Sequence, residues 1–219
     1  MDKPKEVLIK AVNNYLIDRL SEFGFSFSES QLKITRKKGD FENVILFQGS
    51  KNNTSSQIIN FQENFLIFSS YYKKWYNKNF PNLPLLGTGY IYPDRDEYWK
   101  NYNHDRVLQP SFGYSFQNID HEVIMNDIYY NIINVALPYF DSNDSWNKVA
   151  TNTYKDGILK IDALIISNRI REAKEKCESN IEAFEKFYGD SISGHALQIV
   201  TYYKIRRDWI NNNYGQHPE

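Results

Sequence analysis

One cysteine, Cys177, is all the chain has in 219 residues, so no internal disulfide can staple it and packing must hold the fold unaided. A thiol without a partner also fits a reducing compartment. No apolar run approaches the ~18 residues of a membrane span, which argues against a membrane helix and a membrane partner. The opening Met1-Asp2-Lys3-Pro4-Lys5 leads into an amphipathic pattern, not a continuous apolar stretch, so it does not read as a secretory signal. An excess of one charge is missing too. The 26 basic and 27 acidic residues give a formal net charge of −1, which leaves no basic footprint for nucleic acid. These absences lead us to expect a cytoplasmic protein.

What the chain has in quantity is aromatic side chains: 17 Tyr, 14 Phe and 4 Trp, concentrated between Phe61 and Phe116. There they interleave with Asn, Lys, Asp and Arg. Tyr and Trp bring large apolar area at low entropic cost, which is why they dominate recognition surfaces. Trp75, Tyr76, Tyr98 and Trp99 stand among charged and amide neighbours and are expected on the outside, as a surface for another protein. Stacking of nucleic-acid bases, helped by Lys73, Lys74, Lys78 and Lys100, is a third-ranked alternative. Asn, Lys, Ile and Tyr have A/T-rich codons, which suggests a bacterial source.

Periodicity supplies the expected fold. Val7, Leu8, Ala11, Val12, Tyr15, Leu16, Leu20 and Phe23 recur at helical spacing, and Gly24 ends that helix. Phe25, Phe27, Leu32 and Ile34 alternate with polar residues. Lys37-Lys38-Gly39-Asp40 then turns the chain into Phe41 to Phe47, giving a hairpin or meander. After a loop over Gly49 to Ser56, Ile58 to Phe68 reads as a long central strand. A short helix over Ser69 to Lys78 stops before Pro81 and Pro84, Leu85 to Pro110 is irregular, and Phe112, Tyr114 and Phe116 alternate as a last strand. Asn118 or Asp120 caps a helix with the stripe Ile124, Ile128, Ile132 and Ala136, ending before Pro138. Leu16, Val44, Leu46, Ile67 and Ile128 are expected to share one core.

Asp141 to Thr153 reads as a polar linker. Beyond it the pattern is wholly helical, with a break at Ser167-Asn168, a stop at Gly189, and a final helix from Ser193 burying Val200, Tyr203 and Ile210. The expectation is an α+β fold: an antiparallel sheet of about four strands packed by helices over residues 1–142, with a C-terminal helical hairpin over 143–219 packed on it.

Three segments carry a resemblance: Leu20-Ser21-Glu22-Phe23-Gly24-Phe25; the pair Leu32 to Asp40 and Val44-Ile45-Leu46-Phe47-Gln48-Gly49-Ser50-Lys51; and Ala136-Leu137-Pro138-Tyr139-Phe140. Over its first two-thirds the chain resembles the uncharacterised bacterial family known as domain of unknown function 4304. The resemblance implies an α+β domain with helices on one sheet face and carries over no activity. The stretch Tyr71 to Asn103 departs from it. A looser similarity to small proteins that sit beside bacterial toxins implies an immunity-type binding role.

Chemistry-bearing clusters are few. His104-Asp105-Arg106 and Asp120-His121-Glu122 set a histidine beside a carboxylate, but adjacent residues point apart and lack ligand spacing. Asp94, Asp96 and Glu97 crowd together without the glycine of a calcium loop. Gly87-Thr88-Gly89-Tyr90 lacks the Lys-Ser/Thr pair of a phosphate loop. Cys177 lies on an apolar helix stripe, as an inert buried thiol does. No catalytic residue, metal or cofactor is therefore expected. The sequence supports a non-catalytic, immunity-type protein-binding module that uses its aromatic surface. The alternative is a small-ligand or enzymatic domain with a polar site near Gln48, Ser50 and Lys51.

Overall fold

A computed structural model of the chain describes residues 3–51, 53, 59–83, 89–105, 107–109, 113–116, 119–153 and 157–215. Of the sequence expectations, those on Ser55 and Ser56, Ile58, Pro84, Leu85 to Thr88, Arg106, Pro110, Phe112, Asn118 and His217 lie outside the described residues. The chain divides into two compact units, Met1–Asp144 and Ser145–Glu219.

The first unit is a mixed α and β domain. Its first helical stretch breaks at Leu16 into α1 (Pro4–Tyr15) and α2 (Ile17–Ser21), and Gly24 at φ +80° then turns the chain into the sheet. Among the described residues six strands follow where about four were expected: β1 (Ser26–Ser28), β2 (Lys33–Lys38), β3 (Phe41–Gly49), β4 (Asn60–Phe68), β5 (Tyr90–Ile91) and β6 (Tyr114–Ser115). All pairings are antiparallel in the order β1-β2-β3-β4-β5, with β6 on the same edge of β4 as β5. The strand without a sequence signature is β5, a two-residue segment within the stretch expected to be irregular, while the alternation of Phe25 and Phe27 falls on a separate three-residue strand, β1.

Register decides which side chains face inward. Ile34 opposes Ile45, Ile45 opposes Phe65, and Phe61 opposes Tyr114, so one sheet face carries Ile34, Arg36, Ile45, Phe61, Glu63, Phe65 and Ile67. Helix α5 (His121–Asn131) and α6 (Leu137–Asp141) meet this face: the Asp127 carboxylate accepts from Tyr114, and Asp141 pairs with Arg36 at 2.7 Å. Asp120 caps α5 by accepting from the Glu122 amide at 2.9 Å. The helix does not stop before Pro138 as expected. A π-helical turn over Ile132–Ala136, with the Leu137 amide donating to the Ile132 carbonyl, widens the ladder so that it runs through a residue lacking an N–H.

Alternation also splits the expected core. Ile67 and Val44 are both buried, yet Val44 and Leu46 lie on the face opposite Ile45, and Leu46, between Lys33 and Asn64, is only half-buried. Helix α3 (Ser70–Asn79) starts at Ser69, whose hydroxyl accepts from the Tyr72 amide at 3.1 Å. Residues Asp96–Trp99 form the single turn α4.

Among its described residues the second unit has four α-helices: α7 (Trp146–Asn152), α8 (Ile158–Ile166), α9 (Ile170–Tyr188) and α10 (Gly194–Tyr214). The stretch expected to be a polar linker thus contains α7, because Trp146, Val149 and Ala150 at helical spacing bury one face despite polar neighbours. At the centre of this unit, Arg206 on α10 forks onto Asp162 of α8 at 2.6 and 2.9 Å, both side chains fully buried. A bidentate pair of this kind removes two charges from water and satisfies each with the other.

Two expectations follow. Ile45→Ala should cost about 2–5 kcal/mol in urea unfolding, and Leu46→Ala clearly less, because only the former opens a cavity in the helix-covered layer. Asp162→Ala should destabilise the second unit by about 3–5 kcal/mol, since it leaves the Arg206 guanidinium buried and unpaired; helix content followed by circular dichroism during thermal melting checks it.

Candidate functional site

Strand β4 has one edge occupied by β3 and the other only at its two ends. β5 pairs with Ile67 and Phe68, and β6 pairs with Asn60 and Phe61. The Ser50 amide donates to the Asn60 carbonyl, so even-numbered residues of β4 direct their peptide groups toward β3 and odd-numbered ones outward. The outward peptide groups of Glu63 and Phe65 therefore meet no strand among the described residues. Glycines set both ends of this gap. At Gly113 a Cβ would fall 2.3 Å from the Phe61 carbonyl oxygen, and at Gly89, with φ +85°, it would fall 2.7 Å from the Phe68 ring. Only glycine lets the chain approach β4 this closely.

A cleft of about 260 Å³ lies along the gap, with Glu63 and Phe65 on the strand side and Trp99, Tyr102, His104 and Gln109 across from them. Its floor is polar. Tyr102 donates its hydroxyl to Glu63. Tyr114 donates to Asp127 at 2.6 Å and accepts from Asn131 Nδ2 at 3.0 Å. Asn103 donates its side-chain amide to Asp127 and its backbone amide to Asn131 Oδ1 at 2.7 Å, while its carbonyl accepts from Gln109 at 3.0 Å. The network ties β4, β6 and α5 to the irregular segment containing Tyr102 to Gln109.

Burial dominates the electrostatics. It pushes the Glu63 carboxyl up to about 7, with the nearby Asp127 charge adding to the rise and the Tyr102 hydrogen bond opposing it. Burial likewise pushes the Tyr102 and Tyr114 hydroxyls well above the usual phenol range, and the Glu63 charge adds to both, so each hydroxyl stays a donor. A carboxyl poised near neutrality changes its proton occupancy in response to small changes around it.

The walls are aromatic. Trp99 stands edge-on to Phe65 at 5.8 Å and to Tyr139 at 5.6 Å, Tyr102 packs on Phe65 at 6.5 Å, and His104 lies 4.5 Å from Tyr102. Arg95, on the rim, carries its guanidinium 4.9 Å from the Trp99 ring centroid.

The residues singled out from the sequence distribute unevenly around this cleft. Trp99 lines it. Tyr98 is half-buried against Tyr139, and Trp75 is half-buried on Tyr72 and Phe80. Tyr76, expected outside, is buried at 1 % exposure, because its helix turns Tyr72, Tyr76 and Phe80 inward while Lys73, Lys74, Asn77 and Lys78 face out. Gln48 lies exposed at the end of β3 opposite Gln62, a residue of the cleft wall; Ser50 and Lys51 follow in the turn and do not line it. Of the histidine clusters, His104 lines the cleft, while the other members described serve local structure. Asp105 accepts from the Val107 amide, and His121 stacks on Phe116. Asp94 accepts from the Asp96 amide at the start of α4, and Cys177 is buried, its thiol pushed up to about 12 by burial.

Sequence reasoning placed Tyr102 in the aromatic surface and Tyr114 near the alternative polar site, and passed over Glu63, Asp127, Asn131 and Asn103. For Glu63 a signal was available: in Phe61-x-Glu63-x-Phe65-x-Ile67 the period of two puts the acid on the apolar face. Compared with protein-family models, with curated proteins and with solved structures, the chain finds no match.

Glu63 binds its proton more tightly folded than unfolded, so between pH ~4.5 and ~7 the folded state holds more protons and stability falls as pH rises through that window. Glu63→Gln should abolish this component. Its melting temperature should therefore gain on the wild type as pH increases from 5 to 8, which thermal melts at matched ionic strength measure.

Proposed function

We propose that the first unit is a binding domain that takes a small polar group into the cleft along β4. The observation that carries the reading is convergence: the Glu63 carboxyl and the Tyr102 hydroxyl that donates to it lie in one aromatic-walled space, along a stretch of β4 edge that meets no other strand among the described residues. Concave sites with apolar walls and a few oriented polar groups are where ligands bind. This is the small-ligand alternative raised by the sequence, with its site moved from Gln48, Ser50 and Lys51 to the gap one strand further on.

A second reading keeps the partner a protein of the immunity-type setting, held by aromatic side chains. It is supported by Tyr71 and Tyr92, which expose 43 % and 63 % of their surface. Membership of the domain of unknown function 4304 family and a cytoplasmic location belong to the same proposal. In the two readings the cleft plays different parts: receptor for a free molecule, or socket for one side chain of a larger surface.

Spectroscopy of ¹⁵N-labelled protein separates binding in the cleft from binding elsewhere. A panel of anionic, neutral and cationic fragments of fewer than about ten heavy atoms should shift the Trp99 indole N–H, identified with a Trp99→Phe variant, ahead of the other three tryptophans. Fragments that move only residues remote from the cleft, or none that moves Trp99, would overturn the proposal.

A further inference from the structure

We infer that the group taken by the cleft is an organic ammonium ion. The inference rests on the cleft being a binding site and adds the charge and chemistry of what enters it. Its first support is an imbalance of partners. Glu63 and Asp127 share one hydrogen-bond network, yet every donor to them from another residue's side chain is neutral: the Tyr102 hydroxyl, the Tyr114 hydroxyl and the Asn103 amide. Among the described residues neither acid forms an ion pair. The same chain shows the closed alternative, since its fully buried acid, Asp162, is matched by the Arg206 guanidinium. An acid removed from water is ordinarily paired with a base or protonated.

The second support is the wall chemistry. Trp99, Tyr102 and Phe65 surround the space with ring systems, and a cation within ~6 Å of a ring centroid is attracted by the ring quadrupole. Trp99 already attracts one cation, with Arg95 lying over it from the rim. A metal ion would instead demand a shell of oxygen or nitrogen ligands, and no cluster of three or more such side chains occurs among the described residues. The outward carbonyls of Glu63 and Phe65 supply acceptors at the strand edge. An ammonium head has three donors and no acceptor, the complement of carboxyl and carbonyl oxygens.

Size is the third. About 260 Å³ lies just below the ~300–1,000 Å³ typical of drug-sized pockets. It suits a group the size of one side chain: an alkylammonium, whether free as a small amine or borne on a lysine of a polypeptide.

The groups facing Glu63 and the cleft are Tyr102 and His104 on the irregular segment, Tyr114 on β6, Asp127 on α5 and Arg95 at the rim. A bound cation favours the ionised form of Glu63. With that carboxyl held near 7, raising the pH from 6 to 8 should tighten binding about tenfold. Arg95 keeps its charge over that range and sets a constant background.

The test is titration with n-butylammonium, n-butanol and butyrate, read at the Trp99 indole N–H of the full chain. Butylammonium should bind at least tenfold more tightly than butanol at pH 8, tighten about tenfold from pH 6 to 8, and lose both properties in Glu63→Gln. That variant keeps an acceptor for Tyr102, and its unchanged spectrum away from the cleft shows that it folds. A terminally blocked Gly-Gly-Lys-Gly-Gly peptide identifies the source: tighter binding than butylammonium assigns the ammonium to a polypeptide side chain, and weaker binding to a free amine. If butanol or butyrate binds as tightly, or Glu63→Gln binds butylammonium like the wild type, the ammonium inference falls while the cleft reading stands. If no probe moves Trp99, both fall.

Discussion

A carboxyl group turned toward the covered face of a sheet costs more than one hydrogen bond returns unless several donors converge on it, and Glu63 occupies that position between Phe61 and Phe65 on β4. Its surroundings in the first unit follow from this placement. Tyr102 has to reach it from a segment with little regular structure. Tyr114 and Asp127 have to be joined nearby, and Asn131 has to present its amide oxygen so that the Asn103 backbone is fixed. Six polar residues from four parts of the chain are thereby placed by one demand, and the segment from Tyr102 to Gln109 acquires a position that its own propensities do not supply.

The aromatic excess is the apolar side of the same arrangement. Segments with short strands and single helical turns cannot bury much surface per residue, so they are held by large rings. Trp99 on Phe65 and Tyr139 and Tyr98 on Tyr139 fasten α4 to its neighbours, while Trp75 packs on Tyr72 and Phe80 within α3 and its C-terminal end. Such pairs are worth about 0.5–1.5 kcal/mol each beyond the area they bury. Much of what composition offers as recognition surface thus serves attachment, while Tyr71 and Tyr92 remain exposed within the aromatic-rich stretch.

Local pattern made the large elements legible. The helical stripe of Leu8, Val12 and Leu16, the alternation in β2 and β3, the Ser69 and Asp120 caps and the stop at Gly189 are interactions between residues a few positions apart. The passage of the helix through Pro138 was not legible, because the π turn that permits it has no residue signature of its own. Nor was α7, whose three buried residues are diluted by Asn, Lys and Thr. The site was hidden for a further reason. Tyr102 meets Glu63 across 39 positions, and Asn103 meets Asp127 across 24, pairings set by topology alone. Polar neighbours of Trp75 and Trp99 misled because adjacent residues on a helix face in different directions.

Asp162 and Glu63 show two outcomes for an acid placed among apolar neighbours. Asp162 interrupts the apolar run of α8 and is answered by a guanidinium brought 44 positions along the chain, with two bonds and no exposed surface. Such a pair is finished: adding a ligand would break bonds it already has. Glu63 is answered only by neutral donors, next to a cleft along a strand edge that meets no other strand among the described residues. Partial satisfaction lowers stability, and folds retain it where the missing partner is supplied from outside. On that argument the incomplete acid, not the fully paired one, marks where this chain meets something else.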